Sequence, residues 1–382
     1  SPSDSAAPAV ATDTPGAVEK AAANAAGTTQ GTDTVSAPAE SPKDGPDANT
    51  AADQQVGVIN PTSHNVRMIA PPTADVTPPA EVSLASLSAP DAAETPSGVA
   101  MPPAAVGPIE LRRMAAQGDP RVQFEVAAIL AEGRVLPQDL AGAAVWYERA
   151  AAQGFAPASY RLANMLENGV GVEKDLSRAR LWYQLAADAG NRMSMHNLAS
   201  LLAGGKLGEQ DFERAAYWFG KAAALGLKDS QFNLAMLYAR GLGVPQNLEE
   251  SFKWFSIAAS LGDQDAAKAR DDIARSLDAQ VATRISDETK GWQPDPLNIP
   301  ANFAPIGTWS PDFDPGPAIT DKNVIRQVQA ALNRIGYDTG TPDGLMGPKT
   351  EEAIRAFETQ TGMSQSGRIN PRLLAVLGSQ PV

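Results

Sequence analysis

The chain has 382 residues, with 44 acidic side chains against 31 lysines and arginines, two histidines and no cysteine. Without cysteine there is no disulfide, thiolate-held zinc, iron–sulfur cluster or thiol nucleophile, and with His64 and His196 as the only imidazoles a zinc centre of two or three histidines is not available. The net charge of −13 is uneven: residues 1–105 hold twelve acids against Lys20, Lys43 and Arg67, leaving about −4 for the remainder, which speaks against nucleic acid as a partner.

Residues 1–105 also hold 15 of the 31 prolines and no aromatic residue. Too little apolar surface is present to offset roughly 1–2 kcal/mol of backbone entropy per ordered residue, so the segment is predicted to be a disordered, acidic, Ala/Pro-rich spacer. No apolar run reaches the roughly 18–20 residues that span a bilayer. The sequence opens Ser1-Pro2-Ser3 rather than with methionine, which suggests a processed product or fragment whose targeting or membrane segment lies upstream.

From residue 106 to 290 the sequence repeats itself every 36 residues. Trp146, Trp182, Trp218 and Trp254 keep that interval, as do Gly118, Gly154, Gly190, Gly226 and Gly262, and a second series runs Gly133, Gly169, Gly205, Gly241. Asp139, Asp175, Asp211 and Asn247 each precede an amphipathic run, where a short acceptor can satisfy the free amides of a first helical turn. The first helix of each unit then runs through its Trp and an alanine pair to the glycine eight residues on, which suits a left-handed stop. A second helix follows, with Leu162-Ala163 and Leu166, or Leu198-Ala199 and Leu202, on one face. The Trp stripe lies on the side of the small residues Ala143, Ala179, Ala215 and Ser251 and is predicted to be core. A short helix pair cannot bury its apolar face alone, so about five units are expected to stack into an α/α solenoid with a concave recognition surface. His196 shares the phase of Tyr160 and Phe232 and reads as a half-buried aromatic substitute. After Gly262 a polar closing helix pair is predicted, ending near Lys290.

Residues 291–318 combine seven prolines with Trp292, Phe303, Trp309 and Phe313. Prolines make such a linker stiff and extended; aromatic residues at that density favour packing along the solenoid over a solvated tether. In 319–382, Val324, Val328 and Leu332 mark one helix, Pro348 to Phe357 a second, and Pro371 to Leu377 a third. Between the first two lies Asp343-Gly344-Leu345-Met346-Gly347, a tight turn without the alternating acidic ligands of an EF-hand. The fold class expected is all-α.

The pattern Ala-x-x-Trp-Tyr-x-x-Ala-Ala-x-x-Gly at 143–154 and 179–190, with Leu-Ala at 162–163 and Gly-x-Gly-Val at 169–172, resembles Sel1-like repeats, and the resemblance implies a protein–protein adaptor. Some relatives carry paired cysteines that this chain lacks. Val328-Gln329-x-x-Leu332, the Asp-Gly turn, and Thr350-x-x-Ala353-Ile354-x-x-Phe357 resemble the small three-helix peptidoglycan-binding domain. Glu358 stands where that family commonly has Gln and would place a charge near the groove. The candidate peptidoglycan-binding residues are Tyr337, Lys349 and Arg355, whose aromatic face and cations suit sugar rings and carboxylates, with Asp343 and Thr350, which can equally serve to fix the turn.

Spacer, repeats and terminal domain together resemble the periplasmic part of PodJ-type polar organelle development proteins. The resemblance implies a non-enzymatic periplasmic scaffold, tethered to the inner membrane at a cell pole through an upstream segment. Its implied partners are peptidoglycan and proteins on the concave face; no nucleic acid, metal or cofactor is expected. Alternatives are a periplasmic regulator of a sensor kinase or secretion component and, less favoured, a wall-remodelling enzyme, for which a serine–histidine site would have to use His196.

Overall fold

The computed structural model describes residues 99–133 and 136–380, so the expected spacer lies outside the described residues as far as position 98. Among the described residues the regular elements are all helices, without strands. Five helix pairs make the solenoid: α1 (Ile109–Gln117) with α2 (Pro120–Glu132), α3 (Leu140–Ala152) with α4 (Ala156–Asn168), and α5 (Leu176–Asp188) with α6 (Arg192–Gly204); then α7 (Phe212–Ala224) with α8 (Lys228–Arg240), and α9 (Leu248–Ser260) with α10 (Gln264–Ala274). Helix α11 (Ala279–Thr289) closes the stack, burying Ile285.

The predicted caps form as expected. Asp139, Asp175, Asp211 and Asn247 accept the amides of Gly142, Arg178, Arg214 and Glu250 at 2.8–3.0 Å, each worth about 1 kcal/mol. Gly154, Gly190, Gly226 and Gly262 take φ of +81° to +97°, a left-handed turn that swings the chain into the second helix of the unit.

The Trp stripe is core only in part. Trp146 is buried, but Trp182, Trp218 and Trp254 are half-buried; the residue after each of these, Tyr183, Phe219 or Phe255, is at most 1% exposed. A helix advances about 100° per residue, so one position decides which ring points between units. These inner rings meet an aromatic ring from the preceding unit edge-to-face: Phe124–Tyr147 at 5.1 Å, Tyr160–Tyr183 at 6.3 Å in a tilted pair, His196–Phe219 at 5.5 Å and Phe232–Phe255 at 5.3 Å. His196 is therefore the aromatic substitute its phase implies, though fully rather than half-buried.

The 291–318 segment is a strap that runs back along the solenoid, from its last unit to its first. Trp292 packs edge-on against Trp254 at 6.2 Å. One unit earlier, the Asp295 amide donates to the Ala224 carbonyl at 2.8 Å and Pro294 lies against Gly226, where an added Cβ would come within 3.1 Å of the proline. One unit earlier again, the short helix α12 (Ile299–Asn302) is locked by asparagines. Asn191 donates to the Ala301 carbonyl at 2.8 Å, Asn302 donates to the Gly190 carbonyl at 3.0 Å, and Asn302 Oδ1 accepts the Arg192 amide at 3.0 Å. At the first helix pair the buried Glu125 carboxylate accepts the Gly307 amide at 2.9 Å and the Trp309 indole N–H at 3.0 Å. Burial pushes the Glu125 carboxyl above its usual range, and the two donors offset only part of that rise.

The strap also completes the C-terminal domain, formed by α13 (Lys322–Arg334), α14 (Pro348–Thr361) and α15 (Pro371–Leu377). Ile299 and Phe303 are buried in that domain's core, Phe303 edge-to-face on Phe357 at 5.2 Å. The Arg372 amide donates to the Pro315 carbonyl, and the Ile319 amide to that of Ile369. A core drawn from three short helices is small, and two residues from the strap enlarge it.

Candidate functional site

The turn between α13 and α14 is organised around Gln329, which is 1% exposed. Its Nε2 donates to Asp343 Oδ1, the Leu345 carbonyl and Thr350 Oγ1 at 3.0–3.1 Å, and its Oε1 accepts the Gly344 amide at 2.9 Å. Asp343 also accepts the Leu345 amide at 2.9 Å, and these bonds hold its carboxyl below the usual range. Thr350 is buried, so both residues fix the turn. An unsatisfied buried amide costs about 1–3 kcal/mol; here every polar atom of Gln329 is used.

The remaining candidates divide. Lys349 is an exposed cation paired with Asp338 at 2.9 Å, and Arg355 pairs with Glu351 at 3.3 Å while lying against Gly367. Exposed pairs of this kind are screened by solvent and add little to stability, so both cations can exchange partners. Tyr337 lies elsewhere: its ring packs edge-on against Phe357 at 5.9 Å, and its hydroxyl is out of solvent with no hydrogen-bond partner. Burial pushes that phenol up to about 12. Tyr337 lines a cleft of about 230 Å³ between strap and domain; Asp343, Lys349, Thr350 and Arg355 do not.

Glu358 does not charge a groove. It is fully buried, pairs with the buried Arg372 at 3.1 Å and accepts the amides of Ser366 and Gly367 at 2.6 and 3.0 Å. The substitution that the sequence marks as a departure is balanced by an arginine fourteen positions on, and together they tie α14 to α15.

His196 Nδ1 lies 2.8 Å from Ser230 Oγ, the one serine–histidine contact of the repeats among the described residues. Both side chains are sealed between units, and burial pulls the imidazole down to about 4, so it is a neutral structural ring. Among the described residues no group of three or more His, Asp or Glu side chains could hold a metal ion, and no helix is long and apolar enough to cross a membrane.

Sequence reasoning missed the residues that seat the strap. The sequence carried little signal for them: Asn191 shares its phase with Phe155 and Leu227 but also with the helix caps Asp119 and Asp263, and Glu125 with the equally polar Arg161, Asn197 and Asn233.

The Sel1 repeat family model matches residues 120–155, 156–191, 192–227 and 228–263. The model described as "Putative peptidoglycan binding domain" matches residues 321–377. No curated protein matches the sequence. Among solved structures the chain is similar to a protective antigen present in uropathogenic Escherichia coli strains displaying an SLR fold, at 26% identity and a TM-score of 0.33 over 47% of each chain. It is also similar to a Sel1 repeat protein from Oxalobacter formigenes, at 26% identity and a TM-score of 0.40 over 47% of this chain and 76% of that one. The chain thus spans about half the length of the antigen. It carries four Sel1 repeats followed, beyond the strap, by a peptidoglycan-binding domain.

Proposed function

We propose that the chain is a non-enzymatic scaffold of the cell envelope, holding peptidoglycan through its C-terminal domain and protein partners through its repeats. The observation that carries this reading is the pairing of the two matched modules. Peptidoglycan lies outside the cytoplasmic membrane, so the reading places the folded part in the periplasm, with residues 1–98 as a spacer toward an inner-membrane anchor and with polar complexes as its cargo. The repeats supply a surface for partners: Tyr217 is 56% exposed on α7, edge-on to Trp218 and within 5.5 Å of the Lys221 ammonium, and Val145 and Leu185 are exposed on α3 and α5. Aromatic side chains are enriched where proteins meet. A non-enzymatic role is supported by the fate of the serine–histidine contact, which no substrate can reach. Incubation with purified sacculi tests the reading: the protein is expected to co-sediment with them and to release no muropeptides. Muropeptide release on zymography, or a protein that stays in the supernatant, would overturn it.

A further inference from the structure

The structure assigns the wall-ligand site to the cleft between strap and C-terminal domain, a composite site that takes one uncharged, hydroxyl- and amide-bearing unit of a glycan strand. The assignment rests on the wall-binding reading and adds to it where the ligand sits and which part of it is read.

The cleft has two walls of different origin, Gln293, Pro294 and Leu297 from the strap and Asn333, Tyr337 and Gln360 from the domain. Each wall brings polar groups. Gln293 and Gln360 are exposed, so their side-chain amides are open to a ligand in place of water, and the Tyr337 hydroxyl is buried with no hydrogen-bond partner. Buried polar groups are nearly always satisfied, so the unpartnered Tyr337 hydroxyl marks where a ligand's hydroxyl or amide, admitted by a small shift of the cleft wall, would complete the set, with the two exposed amides as further partners. Pro294, Pro296 and Leu297 also line the cleft, and apolar side chains of this kind suit the C–H faces of a saturated ring. The ionisable lining groups are Asp295 and Arg334, which balance, so the cleft favours no charge of either sign. Its size points the same way: sites for whole small molecules run roughly 300–1,000 Å³, whereas about 230 Å³ accepts a single unit of a polymer. A stem peptide with its carboxylates would fit the exposed cations Lys349 and Arg355 better, and neither lines the cleft.

The composite character is the new element. The domain alone offers one wall; the other is held in place because Pro294 and Asp295 are docked on Gly226 and Ala224 of the solenoid. Ligand binding is thereby linked to docking of the strap.

The test is equilibrium binding of the full chain to two probes, glycan strands freed of peptide by amidase digestion and the free stem peptide. The glycan strands are expected to bind. Gln293→Ala, Gln360→Ala and Tyr337→Phe are each expected to weaken that binding about three- to tenfold, the worth of one hydrogen bond, while Arg178→Ala on α5 leaves it unchanged. Tyr337→Phe removes an unpaired buried hydroxyl, so the thermal midpoint should hold or rise, which separates a ligand contact from a structural one. If Gln293→Ala binds glycan strands like the wild type, or if the stem peptide alone binds and Lys349→Ala or Arg355→Ala abolishes it, the composite site is wrong although wall binding stands. If the unmodified chain does not sediment with whole sacculi, the wall-binding reading itself fails.

Discussion

Replacing Phe303 with alanine probes the claim that a strap residue is part of another domain's core. The Phe303 ring is fully buried, edge-to-face on Phe357, and Phe→Ala in a core costs about 3–5 kcal/mol. A domain of the 57 residues matched at 321–377 has a stability of about 3–9 kcal/mol at the usual 0.05–0.15 kcal/mol per residue. The substitution therefore removes a large share of it, while the solenoid, whose own core lies in a separate cluster, keeps its packing. Native-state hydrogen exchange read by mass spectrometry on the full chain resolves the two. Amides of α14 should exchange at least about a hundredfold faster, since each 1.4 kcal/mol is tenfold, and amides of α5 to α8 should be unchanged. Unaltered protection of α14 would refute the packing of strap into domain.

Further expectations follow from the buried polar groups. Glu358→Ala leaves Arg372 buried without its carboxylate and should cost about 3–5 kcal/mol, with chemical denaturation showing that Glu358→Ala and Arg372→Met are far from additive. His196 titrates near 6.5 in the unfolded chain and near 4 in the fold, so the stability it confers is complete above about pH 6.5 and is lost as pH falls toward 4, by about 3 kcal/mol. Denaturation midpoints across that window should fall less steeply in His196→Phe; an identical slope would contradict the sealed site. Asn191→Leu restores the residue of the neighbouring unit but loses the bond to the Ala301 carbonyl and the cap on the Ser194 amide. Limited proteolysis should then cleave between 292 and 310 faster than in the wild type.

What the sequence made legible was whatever depends on neighbours. The 36-residue period, the Asp and Asn caps, the glycine stops and the three terminal helices are each set by a few adjacent residues, and the structure follows them closely. The exposure of Trp182 and Trp218 was not legible, because the Trp and the aromatic residue after it repeat with the same period and only packing decides which turns inward. The strap was legible as a stiff aromatic linker but not in its course: its ties join residues up to 184 positions apart, such as Asn191 with Ala301 and Trp309 with Glu125. Glu358 read as an added charge near a groove because its partner Arg372 lies on another helix, and only packing brings the two together. Of the five candidate contact residues, Asp343 and Thr350 serve the turn through Gln329, and Tyr337 alone lines the cleft.

The central claim is that the chain grips peptidoglycan through its terminal domain and offers partners the repeat surface that the strap leaves exposed. Because Ile299 and Phe303 belong to that domain's core, the truncation that tests it must end at residue 290, before the strap. Sedimented with purified sacculi beside the full chain, the 1–290 protein is expected to remain in the supernatant while the full chain pellets. Equal retention of both would contradict the account.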